Sequence, residues 1–172
     1  MKLFGLAGWS GSGKTTLVVK LLPLLIRRGV RVSTMKHAHH GFDVDQRGKD
    51  SFAHREAGAT EVLVSSANRW ALMHENRGMP EARLEDLVRH MTPVDLLIVE
   101  GFKAHAHDKL EIYRHANGKP LMAPGDPYIV AVASDVPIGP IGGGRDRPNL
   151  DLNDVEGIAQ FILRHCQLEK AA

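Results

Sequence analysis

A chain of 172 residues, 43% of them apolar, has the size of one compact domain and enough hydrophobic side chains for a sizeable core. Its formal charge of +2 excludes the concentrated basic footprint of a nucleic-acid binder, and a single cysteine, Cys166, excludes an intrachain disulfide and fits a reducing compartment. The opening MKLFGLAG turns glycine-rich too early for a secretory signal or a spanning helix, so the expectation is one cytoplasmic domain over residues 1–172 with no membrane segment.

Residues 2–7 form a short, mostly apolar run ending at glycine and predict a buried strand. GWSGSGKT follows at 8–15, and Gly8, Gly13, Lys14 and Thr15 complete the phosphate-loop pattern GxxxxGK[ST]. Over residues 14–28, Leu17, Val18, Leu21, Leu22, Leu24 and Leu25 recur at helical spacing and Gly29 supplies a stop. Pro23 lacks an amide donor, which predicts a kink or a shortened first segment. Strand, glycine loop and helix is the order in which a phosphate loop works. Its glycines let successive N–H groups turn inward around phosphate oxygens, and the helix N-terminus adds partial positive charge. The candidate nucleotide-binding set is Gly8, Ser10, Gly11, Ser12, Gly13, Lys14, Thr15 and Thr16. Lys14 is expected on the outer phosphates and the Thr15 hydroxyl on magnesium.

Residues 30–35 predict a second strand, and 60–65 and 70–75 two more, separated by a turn at 66–69. Residues 80–91 predict a helix with proline at its start and Leu84, Leu87, Val88 and Met91 on one face. In VDLLIVEGF, the run Leu96, Leu97, Ile98, Val99 has no polar alternation, as expected of a strand buried on both faces of a parallel sheet. That strand delivers Glu100 to its carboxyl end, where ligands bind in open α/β sheets. Glu100 is there either to hold magnesium or position water, or as a structural carboxylate. Asp95, at the other end, reads as a strand-boundary residue. Residues 128–133 predict a late buried strand followed by Ser134 and Asp135. Asn153 or Asp154 then caps a final helix with Val155, Ile158, Ala159 and Ile162 facing inward. The fold class is a three-layer α/β phosphate-loop fold, a mostly parallel central sheet with helices on both faces.

Three further stretches stand out: MKHAHHGFDVDQRGKDS at 35–51, REAGATEVLVSS at 55–66 and AVASDVPIG at 131–139. Together with GWSGSGKT, RWALMHE and IVEGFK they closely resemble the molybdopterin-guanine dinucleotide biosynthesis protein B family, and the resemblance runs over residues 2–161. It implies a small GTP-binding protein that uses GTP and Mg2+, usually a homodimer, with weak hydrolysis of GTP to GDP and phosphate and an accessory role in molybdenum cofactor maturation. The implied partner is the enzyme that attaches GMP to molybdopterin, or the molybdoenzyme that receives the cofactor, with molybdopterin itself a candidate ligand. The residues alone carry a magnesium-nucleoside triphosphate site in a mostly parallel α/β domain. Some related dimeric proteins carry a second lysine early in the loop; Trp9 and Ser10 stand there instead, so activation in trans by such a lysine is not available.

KHAHH at 36–40 invites a metal reading, but His37 and His39 alternate away from His40, further ligands are missing and there is no cysteine pair. Leaving the second strand's carboxyl end, the segment is expected beside the phosphate loop, with Lys36 or His37 stabilising charge on the transferred phosphoryl group. With Lys14 and Glu100 they form the candidate catalytic set. Asp43, Asp45 and Asp50 are candidates for magnesium binding or water positioning, Asp45 joining Thr15 and Glu100 as the proposed metal set. GKDS at 48–51 also reads as a helix start capped by Asp50 or Ser51. His105 and His107 follow in an expected loop, as solvated residues or as contacts for substrate or partner. The guanine signature NKxD does not occur, which leaves Asp135 as either the reader of guanine N1 and its amine or a turn residue. GGGR at 142–145 reads as a flexible loop. Two function classes follow: a GTP-dependent adaptor with slow hydrolysis, or a phosphate-loop small-molecule kinase. The second needs an arginine-bearing lid that the Arg77 and Arg83 region and the arginines at 145 and 147 do not obviously provide.

Overall fold

The structure is a computed structural model and describes residues 1–38, 41–141, 143 and 146–169. His39 and His40 of the histidine motif, and Gly142, Gly144 and Arg145 of the GGGR loop, lie outside the described residues. Along the chain run β1 (Lys2–Ala7), α1 (Lys14–Arg27), β2 (Val32–Lys36), α2 (Asp50–Glu56), β3 (Glu61–Ser65), β4 (Trp70–His74), α3 (Leu84–Arg89), β5 (Leu96–Glu100), β6 (Lys109–Tyr113), β7 (Ile129–Ser134), β8 (Asn149–Asp151) and α4 (Val155–His165). They divide into two compact units, Met1–His37 with Thr92–Ala172, and Ala38–Met91.

The first unit is built on a six-stranded sheet of order β2-β5-β1-β6-β7-β8, with every pairing parallel. Alternate sheet residues, Phe4, Leu6, Leu96, Ile98, Leu110, Ile112, Ala131 and Ala133, pack under α1 and α4. On α1, Leu17, Leu21 and Leu25 repeat every fourth position and form a buried stripe, each burial contributing about 2 kcal/mol. Ile158, Ala159, Ile162 and Leu163 do the same on α4, whose Asp154 carboxylate caps the helix by accepting the Gly157 N–H at 2.9 Å. Within this unit the opposite face, with Ala7, Ile129 and Val132, is closed by Leu121, Met122, Ala123 and Ile138 from irregular segments.

Three expectations change. Pro23 does not shorten α1, which runs unbroken over Lys14–Arg27. Pro23 is exposed, and the carbonyl it deprives of a donor belongs to Val19, itself 64% exposed, so water can take the vacant place. The helix expected over 80–91 is confined to Leu84–Arg89: Arg83 is extended, Pro80 lies outside, and only Leu84 is buried. β6 lies outside the expected strands, because KLEIY carries two charges. Both are fully buried and satisfied: the Lys109 ammonium donates to Asp126 at 2.8 Å and to the Lys103 carbonyl at 3.0 Å, while Glu111 accepts the Met122 and Ala123 N–H groups, each at 2.8 Å.

In the second unit β3 and β4 form the expected antiparallel hairpin around Ser66 and Arg69. Lys49, not Asp50 or Ser51, is the N-cap of α2. Asp50 instead opens the helix, where its charge suits the dipole, and the Ser51 hydroxyl donates to Asp45 at 2.8 Å. The Arg55 guanidinium forks onto Asp43 at 2.9 and 2.8 Å and also meets Asp45 at 3.5 Å and Glu75 at 3.6 Å. Among the described residues no helix is long and apolar enough to cross a membrane.

Candidate nucleotide-binding site

β1 runs out at Ala7 into a loop whose Gly8, Gly11 and Gly13 have φ of 144°, 79° and 94°, a region that side-chain-bearing residues rarely adopt. At Gly8 a Cβ would also stand 2.6 Å from the Ile112 carbonyl and 2.7 Å from the Ser12 hydroxyl, so the loop closes there only on glycine. The Ser12 hydroxyl is buried and has no hydrogen-bond partner. A partnerless buried hydroxyl, inside a glycine loop that opens a helix, suits an anionic oxygen as its missing acceptor. Lys14 folds back on the loop and donates to the carbonyls of Gly8 at 2.9 Å and Trp9 at 3.0 Å. Burial lowers its pKa; Glu100 pulls the other way, and Lys103 and Lys36 add to the lowering.

Parallel registration sets Glu100 between Leu6 of β1 and Lys36 of β2, at the carboxyl edge of the sheet. The Thr15 hydroxyl donates to its carboxylate, 3.0 and 3.1 Å from the two oxygens. The Lys36 ammonium lies 3.4 Å from the Thr15 hydroxyl and 3.6 Å from Glu100, whose side chain is 14% exposed. Thr15, Glu100, Lys14 and Lys36 therefore converge as expected. The His37 N–H donates to the Glu100 carbonyl at 2.9 Å, and its ring packs on Phe102 with centroids 4.8 Å apart. Ser10 and Thr16 are exposed, Ser10 on the loop and Thr16 on the first turn of α1. Asp45 belongs to the second unit, where it accepts from Gln46 N–H and Ser51 and pairs with Arg55. No group of three or more His, Cys, Asp or Glu among the described residues is placed to hold a metal. The hard oxygens of Thr15 and Glu100 suit magnesium, which ordinarily completes its shell with phosphate oxygens and water.

The end of β6, outside the expected strands, brings further side chains to the loop. The Arg114 side chain lies against Gly13, and the Asn117 amide donates to the Ser10 carbonyl at 3.4 Å. Trp9 donates its indole N–H to the Pro120 carbonyl at 2.9 Å, under the ammonium groups of Lys103 and Lys119, 5.2 and 6.0 Å from its ring. The available signal was the pair Leu110 and Ile112 alternating through KLEIY. Asp135 stands at the end of β7 as expected, accepting the His115 N–H at 3.0 Å and a 3.4 Å contact from Arg114. Asp95 takes the boundary role, accepting the Arg31 N–H at 2.8 Å.

Beyond the loop, an open depression of about 570 Å³ is lined by Lys103, His105, Lys109, Met122, Asp126 and Tyr128 among others. Next to this ion pair both ring nitrogens of His107 are buried without a hydrogen-bond partner. Burial first, then the charges of Lys109 and His105, lower its pKa from 6.5 to about 4. Between those two values the unfolded chain binds a proton that the folded chain does not, so stability is fully present above 6.5 and falls as the pH drops towards 4. The expected result is a Tm that declines over this window more steeply in the native chain than in His107→Gln, checked by circular-dichroism melts; parallel curves would refute it. Burial pushes the Cys166 thiol up to about 11, in keeping with an inert helix-end residue.

The family model for molybdopterin guanine dinucleotide synthesis protein B matches residues 3–135. The molybdopterin-guanine dinucleotide biosynthesis adapter protein of Escherichia coli K12 is 44% identical over 168 residues, covering 96% of this chain and 93% of that protein. The adapter protein of the same description from Haemophilus influenzae is 43% identical over 162 residues, covering 93% of this chain and 86% of its own. Among solved structures, the MobB protein homolog from Bacillus stearothermophilus superimposes with a TM-score of 0.71 at 26% identity, covering 97% of this chain and 99% of its own.

Proposed function

This chain belongs to the molybdopterin guanine dinucleotide synthesis protein B family, and we propose that it is an adapter of molybdopterin guanine dinucleotide biosynthesis whose docking is governed by magnesium-bound GTP. Relatives that match nearly its whole length are adapter proteins of that biosynthesis, which supports the adapter role. The observation that carries the nucleotide reading is the convergence of Lys14, Thr15, Glu100 and Lys36 on a glycine loop with an unpartnered Ser12 hydroxyl.

In this reading Lys14 exchanges the Gly8 and Trp9 carbonyls for the outer phosphate oxygens, and the loop N–H groups and Ser12 take the rest. Thr15 and Glu100 hold the magnesium, which supplies charge neutralisation at the phosphates. Glu100 also orients the attacking water, and Lys36 stabilises charge as the bond to the β-phosphate breaks. Asp135 reads the base. The partner is the GMP-attaching enzyme or the recipient molybdoenzyme. The exposed Leu63, Val64, Trp70 and Leu72 of the β3–β4 hairpin support self-association as a homodimer. A kinase reading finds little support in the arginines: Arg77 is bound to the Arg55 and Ala59 carbonyls, Arg147 to Ile129, and Arg83 faces Glu85 and Asp86.

Titration calorimetry of GTP and ATP with magnesium, with phosphate release followed in the same samples, tests this function. GTP preference with slow release supports it, and ATP preference or no binding overturns it. Glu100→Gln keeps the shape and removes the charge, so hydrolysis is expected to fall about a hundredfold or more while nucleotide affinity changes less than tenfold. Equal loss of both would make Glu100 a structural carboxylate.

A further inference from the structure

The Arg114 guanidinium joins three segments that are remote in the chain. Arg114 follows the last residue of β6, its Nε and Nη2 lie 3.4 Å from where a Cβ on Gly13 would stand, and its Nη1 is 3.4 Å from Asp135 Oδ2. The other Asp135 oxygen accepts the His115 N–H at 3.0 Å, which fixes the carboxylate at the carboxyl edge of β7. The two partners of the ion pair remain 38% and 20% exposed, and so long and solvated a contact is cheap to open. A carboxylate held by a backbone amide and a guanidinium held against the phosphate loop thus stand side by side, both able to turn to a ligand.

Guanine offers N1–H and an exocyclic amine as donors next to O6 and N7 as acceptors. Adenine lacks the N1 proton and carries a donor where guanine has O6. A neighbouring carboxylate and guanidinium match the first pattern and oppose the second. We propose that Arg114 is a second specificity-determining residue: Asp135 accepts from guanine N1–H and its amine, while Arg114 leaves Asp135 and donates to O6 or N7. This assignment rests on the guanine-nucleotide reading of the site, and it supplies base choice to a chain without the NKxD signature.

The test is calorimetry of the full chain with GTP and with ATP in magnesium, for the native protein, Arg114→Ala and Arg114→Gln, with melting curves for each. Removing the guanidinium is expected to weaken GTP about ten- to hundredfold and leave ATP unchanged, with the amide of Arg114→Gln intermediate. Equal loss for both nucleotides would place Arg114 on the phosphates and overturn the proposal, as would unchanged GTP affinity. If Arg114→Ala does not fold, the same comparison in Arg114→Gln decides. A native chain without GTP preference would sink the guanine reading and this assignment together. A native chain with that preference, undiminished in the variants, would sink this assignment alone.

Discussion

Lys14→Ala is expected to weaken GTP binding by roughly a hundredfold or more, about 3 kcal/mol, and to leave folding nearly unchanged. The two effects separate because of what Lys14 touches. Its ammonium donates to the carbonyls of Gly8, part-buried, and Trp9, exposed; both are loop carbonyls, and neither contact ties the helix to the sheet. A triphosphate has no substitute for that charge: the loop's N–H groups carry only partial charges, and Lys36, beside Glu100 and Thr15, serves the transferred phosphoryl group and cannot take the place of Lys14 as well. Calorimetry with magnesium, alongside melting curves, checks both halves. Retained affinity would show that the loop does not bind the outer phosphates, and a Tm loss as large as the affinity loss would make Lys14 a structural strut.

The largest effect on stability is expected at Asp126→Ala, about 3 kcal/mol and a Tm lower by about 9 °C. The Lys109 side chain is 1% exposed and relies on Asp126 at 2.8 Å, with the Lys103 carbonyl at 3.0 Å as its remaining acceptor. Removing the carboxylate leaves a buried cation nearly alone; the Tyr128 ring, 5.5 Å away, compensates little. Asp126 also accepts the Tyr128 N–H at 2.9 Å, so a share of the loss belongs to the turn. A cycle with Lys109→Met separates the two: the double variant should recover most of the stability, since an apolar pair needs no partner. A single variant that melts within 2 °C of the native chain, allowing for the slope of roughly 3 °C per kcal/mol, would refute the account.

Local pattern was enough wherever one segment's burial or backbone freedom dictates its shape. β1, the glycine loop and α1 follow from an apolar run, glycines at positive φ and leucines every fourth residue; β5 and β7 follow from runs without polar alternation, which carried Glu100 and Asp135 to their strand ends. Asp154 capped α4 as its chemistry requires. Tertiary contacts decided the rest. At the end of β2 neighbouring residues parted, Lys36 towards Thr15 and Glu100, and His37, just past the strand, onto Phe102. β6 stayed hidden because Lys109 and Glu111 look solvent-facing until Asp126 and the Met122 and Ala123 amides are in place beside them. Arg114 meets Gly13 only because β6 pairs beside β1. Periodicity records whether a segment can be buried, whereas a buried charge or a shared site depends on partners that only folding brings near.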